Sequence, residues 1–96
     1  MGPWDSTMSL RRFWIEFDIP EGDPDPLGVL LGCGVTGFDY DDVLRLIRER
    51  IFKDLPLPSI RKVTSDVDIS TLDPGHVLPN MGVPVVRGIW YPRGYE

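Results

Sequence analysis

Residues 40–53, "YDDVLRLIRERIFK", form the one stretch of this chain with both the length and the period of an amphipathic helix. Tyr40, Leu44, Ile47 and Ile51 recur at i, i+4, i+7 and i+11, with Val43 alongside, which draws an apolar stripe down one side. Asp39 precedes it as a good N-cap, and Asp41 and Asp42 fall in the first turn, where carboxylates complement the helix dipole. "LPLP" ends it. Elsewhere ten prolines and ten glycines break the chain into pieces too short for a second helix of useful length. Whatever else folds must fold as short strands and turns against this helix.

Four strand candidates remain. "LRRFWIEFDI" alternates, with Phe13, Ile15, Phe17 and Ile19 on one face and Trp14, Glu16 and Asp18 on the other, the period of a strand with one side on a core. "LGVLLGCGV" (27–35) is continuously apolar and reads as a central strand. "SIRKVTSDVDI" (59–69) alternates imperfectly, and a bulge near Asp66 would bring Val67 and Ile69 onto a face with Ile60. "VPVVRGIWY" (83–91) is the fourth, with Pro84 near its start and Trp90 and Tyr91 on opposite faces. Between the last two, Asp73 followed by Pro74 is a cap-plus-first-turn signature for one short helical turn before Pro79. The order β-β-α-β-β predicts an α+β fold: a small two-layer domain, with one main helix on a four-stranded, mostly antiparallel sheet. Residues 1–96 make a single domain, in which 1–8 are expected to be a loose extension.

Composition narrows the function. Apolar residues at 42% and charged residues at 26% fit an ordinary globular domain. The lone Cys33 excludes an internal disulfide and, with no apolar leader at the N-terminus, points to a cytoplasmic setting. No apolar run is long enough to span a bilayer. "MGPWDS" matches the outline of a myristoylation site, but no basic patch follows to supply the second anchoring signal. The net charge of −5 argues against nucleic-acid binding, which needs cations on the phosphates. From Phe13 to Leu44 there are eight carboxylates and no Lys or Arg, a field that would steer a basic protein partner.

Three places invite chemistry. Gly32, Gly34 and Gly37 spell G-x-G-x-x-G before the helix, the outline of a dinucleotide-binding turn. That reading fails on two counts: the chain has room for one helix rather than repeated βαβ units, and Asp39, Asp41 and Asp42 crowd the end that would receive a pyrophosphate. One carboxylate about 6 Å from a phosphate charge costs roughly 3 kcal/mol at an effective dielectric of 20, against ~0.3–1 kcal/mol from the dipole. The glycines are therefore expected to serve close packing or positive φ. Second, Asp66, Asp68, Asp73, His76 and Asn80 are candidates for a ligand site, as two or more carboxylates with an imidazole can bind a cation or move a proton. Their spacing matches no standard metal motif, and such residues often cap turns instead. Cys33 as a nucleophile would need His76 beside it as base. Third, Trp14 is expected to face outward with Glu16 and Asp18 and, joined by Asp23 and Asp25, to form a partner-binding surface. The competing expectation for that face is a cover supplied by the terminal "PRGYE".

The resulting expectation is a non-catalytic protein-interaction module for a basic partner, an inhibitor or immunity-type protein being one concrete form. No cofactor or metal is implied, and self-association is left open. The alternative is a small-molecule or metal site, with or without catalysis, at Asp66, Asp68, Asp73, His76 and Asn80.

Overall fold

The computed structural model describes residues 9–19, 27–53 and 55–95. Four strands form one antiparallel sheet: β1 (Arg11–Phe17), β2 (Cys33–Gly37), β3 (Ile60–Ser65) and β4 (Gly88–Tyr91), in the order β3-β1-β2-β4. The helix α1 (Tyr40–Ile47) continues through Arg48–Phe52 as a wider π-helical turn. It closes where Lys53, at φ 54°, donates its N–H to the Arg48 carbonyl. The α+β architecture and strand number are those the sequence predicts. The expected extension 1–8 lies outside the described residues.

The helix starts as its sequence dictates. Asp39 has an extended backbone, and its carboxylate accepts the Asp42 N–H at 2.8 Å, a cap of a kind typically worth ~1 kcal/mol. The buried stripe is rotated from the expected one. Val43, Leu46, Ile47, Ile51 and Phe52 are buried, whereas Leu44 is half-buried and Tyr40 exposed. Opposite them stand Phe13, Ile15 and Phe17 from β1, Cys33 and Val35 from β2, and Ile89 from β4. Phe17 meets Phe52 edge to face at 5.5 Å between ring centres.

All four strands are shorter than their sequence patterns, the first losing Leu10, Asp18 and Ile19. The second begins at Cys33 rather than Leu27, because Gly28 and Gly32 adopt φ of +76° and +135° and Gly32 closes a turn onto the Val29 carbonyl. Leu30 and Leu31, read as strand interior, are exposed in that turn. The third ends at Ser65, because Asp66 takes φ 53°. Its bulge lies opposite Glu16 and Phe17, not near Asp66, and so Ile60 packs on the helix side while Val67 and Ile69 pack on the other face. The fourth begins only at Gly88, after a turn containing Pro84.

A second buried cluster occupies the face away from the helix: Trp14, Trp90, Tyr91, Val67, Leu72 and Val77. The cover is the irregular segment 67–81 rather than the C-terminal tail. Tyr95 instead packs beside the helix-side core and donates its hydroxyl to the Leu27 carbonyl. Trp90 and Tyr91 share this face, contrary to simple alternation. A register shift sets Tyr91 opposite Gly34 and Ile89 opposite Val35, so an extra residue on β4 turns both rings to the same side.

Candidate functional site

The glycine motif is resolved by what lies over it. Gly34 and Gly37 lie in β2 itself. A Cβ on Gly32 would approach the Trp14 ring to 2.6 Å, one on Gly34 would overlap the Trp90 ring, and one on Gly37 would meet the Asp42 carboxylate at 2.9 Å. Trp90 is held there by its indole N–H, which donates to the Thr36 hydroxyl; that hydroxyl in turn donates to the Pro84 carbonyl. Two amides around the helix start have partners as well: Phe38 N–H bonds Asp42, and Asp42 N–H bonds Asp39. These glycines allow two tryptophans and a carboxylate to approach the backbone.

Trp14 does not form an exposed contact surface. It lies on the face opposite Phe13 and Ile15, as its position requires, but it is only 6% exposed, packed in tilted contact with Trp90 and Tyr91 at 6.0 and 5.6 Å between ring centres. Alternation told the face and could not tell that another segment covers it. Of its expected companions, Glu16 is half-buried and paired with Arg61 at 3.1 Å, Asp18 is exposed, and Asp23 and Asp25 lie outside the described residues. The described residues hold all ten Lys and Arg and nine of the fifteen Asp and Glu, so the acidic surplus belongs to the other segments of the sequence.

The five residues of the expected ligand site separate into three groups. Asp66 forms a two-bond ion pair with Arg11 at 2.8 and 3.0 Å, which holds its carboxyl below the usual range. Asp68 caps the turn Ile69–Thr71 through the Ser70 hydroxyl and N–H, with a shift in the same direction. Asp73, His76 and Asn80 do come together. Asp73 accepts from the Gly75 and His76 N–H groups and meets His76 Nδ1 at 3.1 Å, while Asn80 donates to the His76 carbonyl at 2.7 Å. The Gly75 N–H, the larger effect, and the His76 ring both hold the Asp73 carboxyl below its ordinary value. The expected turn at Asp73 thus forms, and Asp73 caps it. Among the described residues no three His, Cys, Asp or Glu side chains are grouped as a metal ion would need.

Cys33 is fully buried on the helix side of the sheet, and burial pushes its thiol far above the usual range. His76 stands exposed on the opposite side, so the two do not form a nucleophile–base pair.

What the structure does assemble is a groove on the face away from the helix. One part, about 390 Å³, is lined by Trp14, Glu16, Lys62, Thr64 and the inner side of 67–77. The adjoining part, about 420 Å³, is lined by Leu30, Tyr91 and His76. Leu31 and Asp73 line both. The groove therefore joins members of the two candidate sets, Glu16 from one and Asp73 and His76 from the other. Leu30 and Leu31, 51% and 43% exposed, form its apolar lip.

One pair that the sequence did not disclose fixes the far end of the sheet. Asp42, first read as a helix-dipole residue, takes two hydrogen bonds from Arg87, whose guanidinium also stands over the Phe38 ring. The partners are 45 residues apart, and no periodicity links them.

The class defined by these features is a small antiparallel α+β domain with a helix on one sheet face and a grooved cover segment on the other. No protein-family model, curated protein or solved structure matches the chain. Among the described residues no helix is long and apolar enough to cross a membrane.

Proposed function

We propose that this chain is a small non-catalytic protein-interaction module that binds a basic partner through the groove beside Leu31 and Asp73, acting in the manner of an inhibitor or immunity-type protein. The observation that carries this reading is the shared lining of the two adjoining hollows: Leu31 and Asp73 border both, with the exposed Leu30 in one and Glu16 in the other. Apolar contact supplies affinity, and carboxylates select and steer a cationic segment. The connection between β1 and β2 supports it, because residues 18–32 hold four carboxylates and no cation. Lys62, on the other wall, opposes cations at that end and places the cationic part of the partner nearer Asp73.

The test is affinity capture from native lysate, followed by binding kinetics of the captured partner with variants. Leu31→Ser and Asp73→Asn are expected to weaken binding about tenfold, the loss of one well-placed contact. Val85→Ser, at an exposed position that lines neither part of the groove, should have no effect. The association rate should fall as salt rises past ~0.15 M, where the Debye length is about 8 Å. A partner indifferent to both groove variants and to salt would sink the proposal.

The Asp73–His76 contact favours one second reading, a small-molecule site in the same groove. Asp73 would orient the imidazole, leaving Nε2 to accept a proton from a bound ligand. Chemical-shift mapping with a fragment library separates the two readings. A fragment that saturates at His76 and is lost in His76→Ala would favour the small-molecule site.

A further inference from the structure

The groove carries charges of both signs on different walls. Lys62 belongs to β3 and lines only the first part, whereas Asp73 belongs to the cover segment and lies where the two parts adjoin. Glu16 is the third charged residue of the first part. It stands opposite Lys62 in the sheet, but its carboxylate binds the Arg61 guanidinium at 3.1 Å. One carboxylate thus serves two cations, and a net positive charge remains on the sheet wall. Among the described residues no carboxylate lies within ion-pair distance of Lys62. Asp73 has the opposite balance: among the described residues Gly75 and His76 donate to it, and no Lys or Arg does. Arg12 stands near Asp66 and Asp68 and lines neither part of the groove. Most of the remaining lining of the first part is apolar, from Trp14, Leu31, Val67, Leu72 and Val77.

We propose that the partner segment seated in this groove is dipolar: it presents a carboxylate to Lys62, an apolar side chain to Leu31 and a Lys or Arg to Asp73. This rests on the groove being the binding site, as proposed above, and adds an acidic residue to a partner that the groove's carboxylates alone would make purely basic. Selection then follows the order of charges rather than their sum. A segment with cations at both positions sets one of them against Lys62, and such like-charge juxtaposition is how interfaces reject wrong partners. A segment with one charge of each sign meets its complement on both walls.

The experiment titrates the ¹⁵N-labelled full chain with acetylated, amidated peptides whose end residues are Glu and Lys, Gln and Lys, Glu and Gln, or Lys and Lys, each made with one and with two leucines between the ends. Saturable shifts at Leu31, Lys62 and Asp73 are expected, with the Glu/Lys peptide the tightest. Replacing either charge by Gln should weaken binding about threefold, the size of one exposed ion pair. The Lys/Lys peptide should be weaker again. Lys62 is exposed, so its variants leave the core intact. Lys62→Gln should remove the advantage of Glu/Lys over Gln/Lys, and Lys62→Glu should make Lys/Lys the tightest ligand. The proposal is overturned if no peptide saturates at these residues, if Glu/Lys and Gln/Lys bind equally, or if the preference is unchanged in both Lys62 variants. Tightest binding of Lys/Lys to the parent chain at the same residues also overturns it, while leaving a purely basic partner for the groove. Indifference of a captured partner to Leu31→Ser and Asp73→Asn would instead remove the groove itself as the binding site.

Discussion

Gly34 lies directly beneath the Trp90 indole, close enough that any β-carbon at position 34 would overlap the ring. Trp90 reaches this face by alternation with the core-facing Ile89, and Thr36 fixes the ring through its N–H. With Trp90 fully buried, the ring has nowhere to retreat. Gly34→Ala is therefore expected to destabilise the fold by about 1–3 kcal/mol, the usual cost of overpacking a filled core. Gly75→Ala is the control. Its β-carbon would meet only Asp73 Oδ1 at an ordinary 3.4 Å, and its effect should stay within about 0.5 kcal/mol in urea unfolding.

Trp14 behaves as a core residue. Trp14→Ala removes a ring that packs at a tilt against Trp90 and Tyr91 and lies over Gly32. A loss of about 3–5 kcal/mol is expected in equilibrium unfolding. A loss under about 1 kcal/mol would show that the 67–81 cover does not hold this ring in the core.

Along the helix, Ile47→Ala should cost about 2–5 kcal/mol, because Ile47 is fully buried in the helix-side core. Leu44→Ala should cost less than half as much, because Leu44 lies at the margin of the stripe. Equal losses at the two positions would contradict the rotated face.

Acid should loosen the Asp42–Arg87 tie. The hydrogen bonds from Arg87, followed by the Phe38 N–H and the nearby positive charges, lower the Asp42 carboxyl to about 2 against burial that raises it. A depressed folded-state value stabilises the protein above the unfolded pKa, and this stability drains away as pH falls through the folded one. The window is pH 5 down to 2. The side chain is 9% exposed but its partner 36%, so screening reduces the contribution to about 1–2 kcal/mol. Asp66, Asp68 and Asp73, also lowered, act in the same direction from exposed positions. The measurement is thus a difference: Asp42→Asn should be less stable than the parent at pH 6, with the gap narrowing by pH 2.5. A gap constant across that range would show that the ion pair contributes nothing.

Calorimetric titration with NAD or ATP, with and without magnesium, should give no saturable heat. A phosphate at the helix start would meet Asp39, Asp41 and Asp42, with the Phe38 and Asp42 amides already bonded. Micromolar binding lost in Gly34→Val would overturn this account of the glycines.

The sequence by itself determined what depends on near neighbours. The Asp39 cap, the single helix, the inward run Phe13, Ile15 and Phe17, and the turn at Asp73 all follow from side-chain chemistry and periods of 3.6 or 2 within a few residues. Tertiary structure decided what depends on a partner far along the chain. Whether Trp14 faces water depended on segment 67–81, which buries its apolar side chains on a sheet face that periodicity identifies only as the face away from the helix. The side on which Tyr91 lies depended on one extra residue in β4, since a one-residue slip reverses every later side chain. Asp42 met Arg87 because the helix start and the β4 entry converge across 45 residues. The groove arose in the same way, since Leu31 and Asp73 become neighbours only when the turn before β2 and the cover segment pack on one face. Local pattern fixes the elements and their apolar sides; long-range closure chooses which polar and aromatic groups meet, because that choice is made by packing between segments that carry no record of each other in sequence.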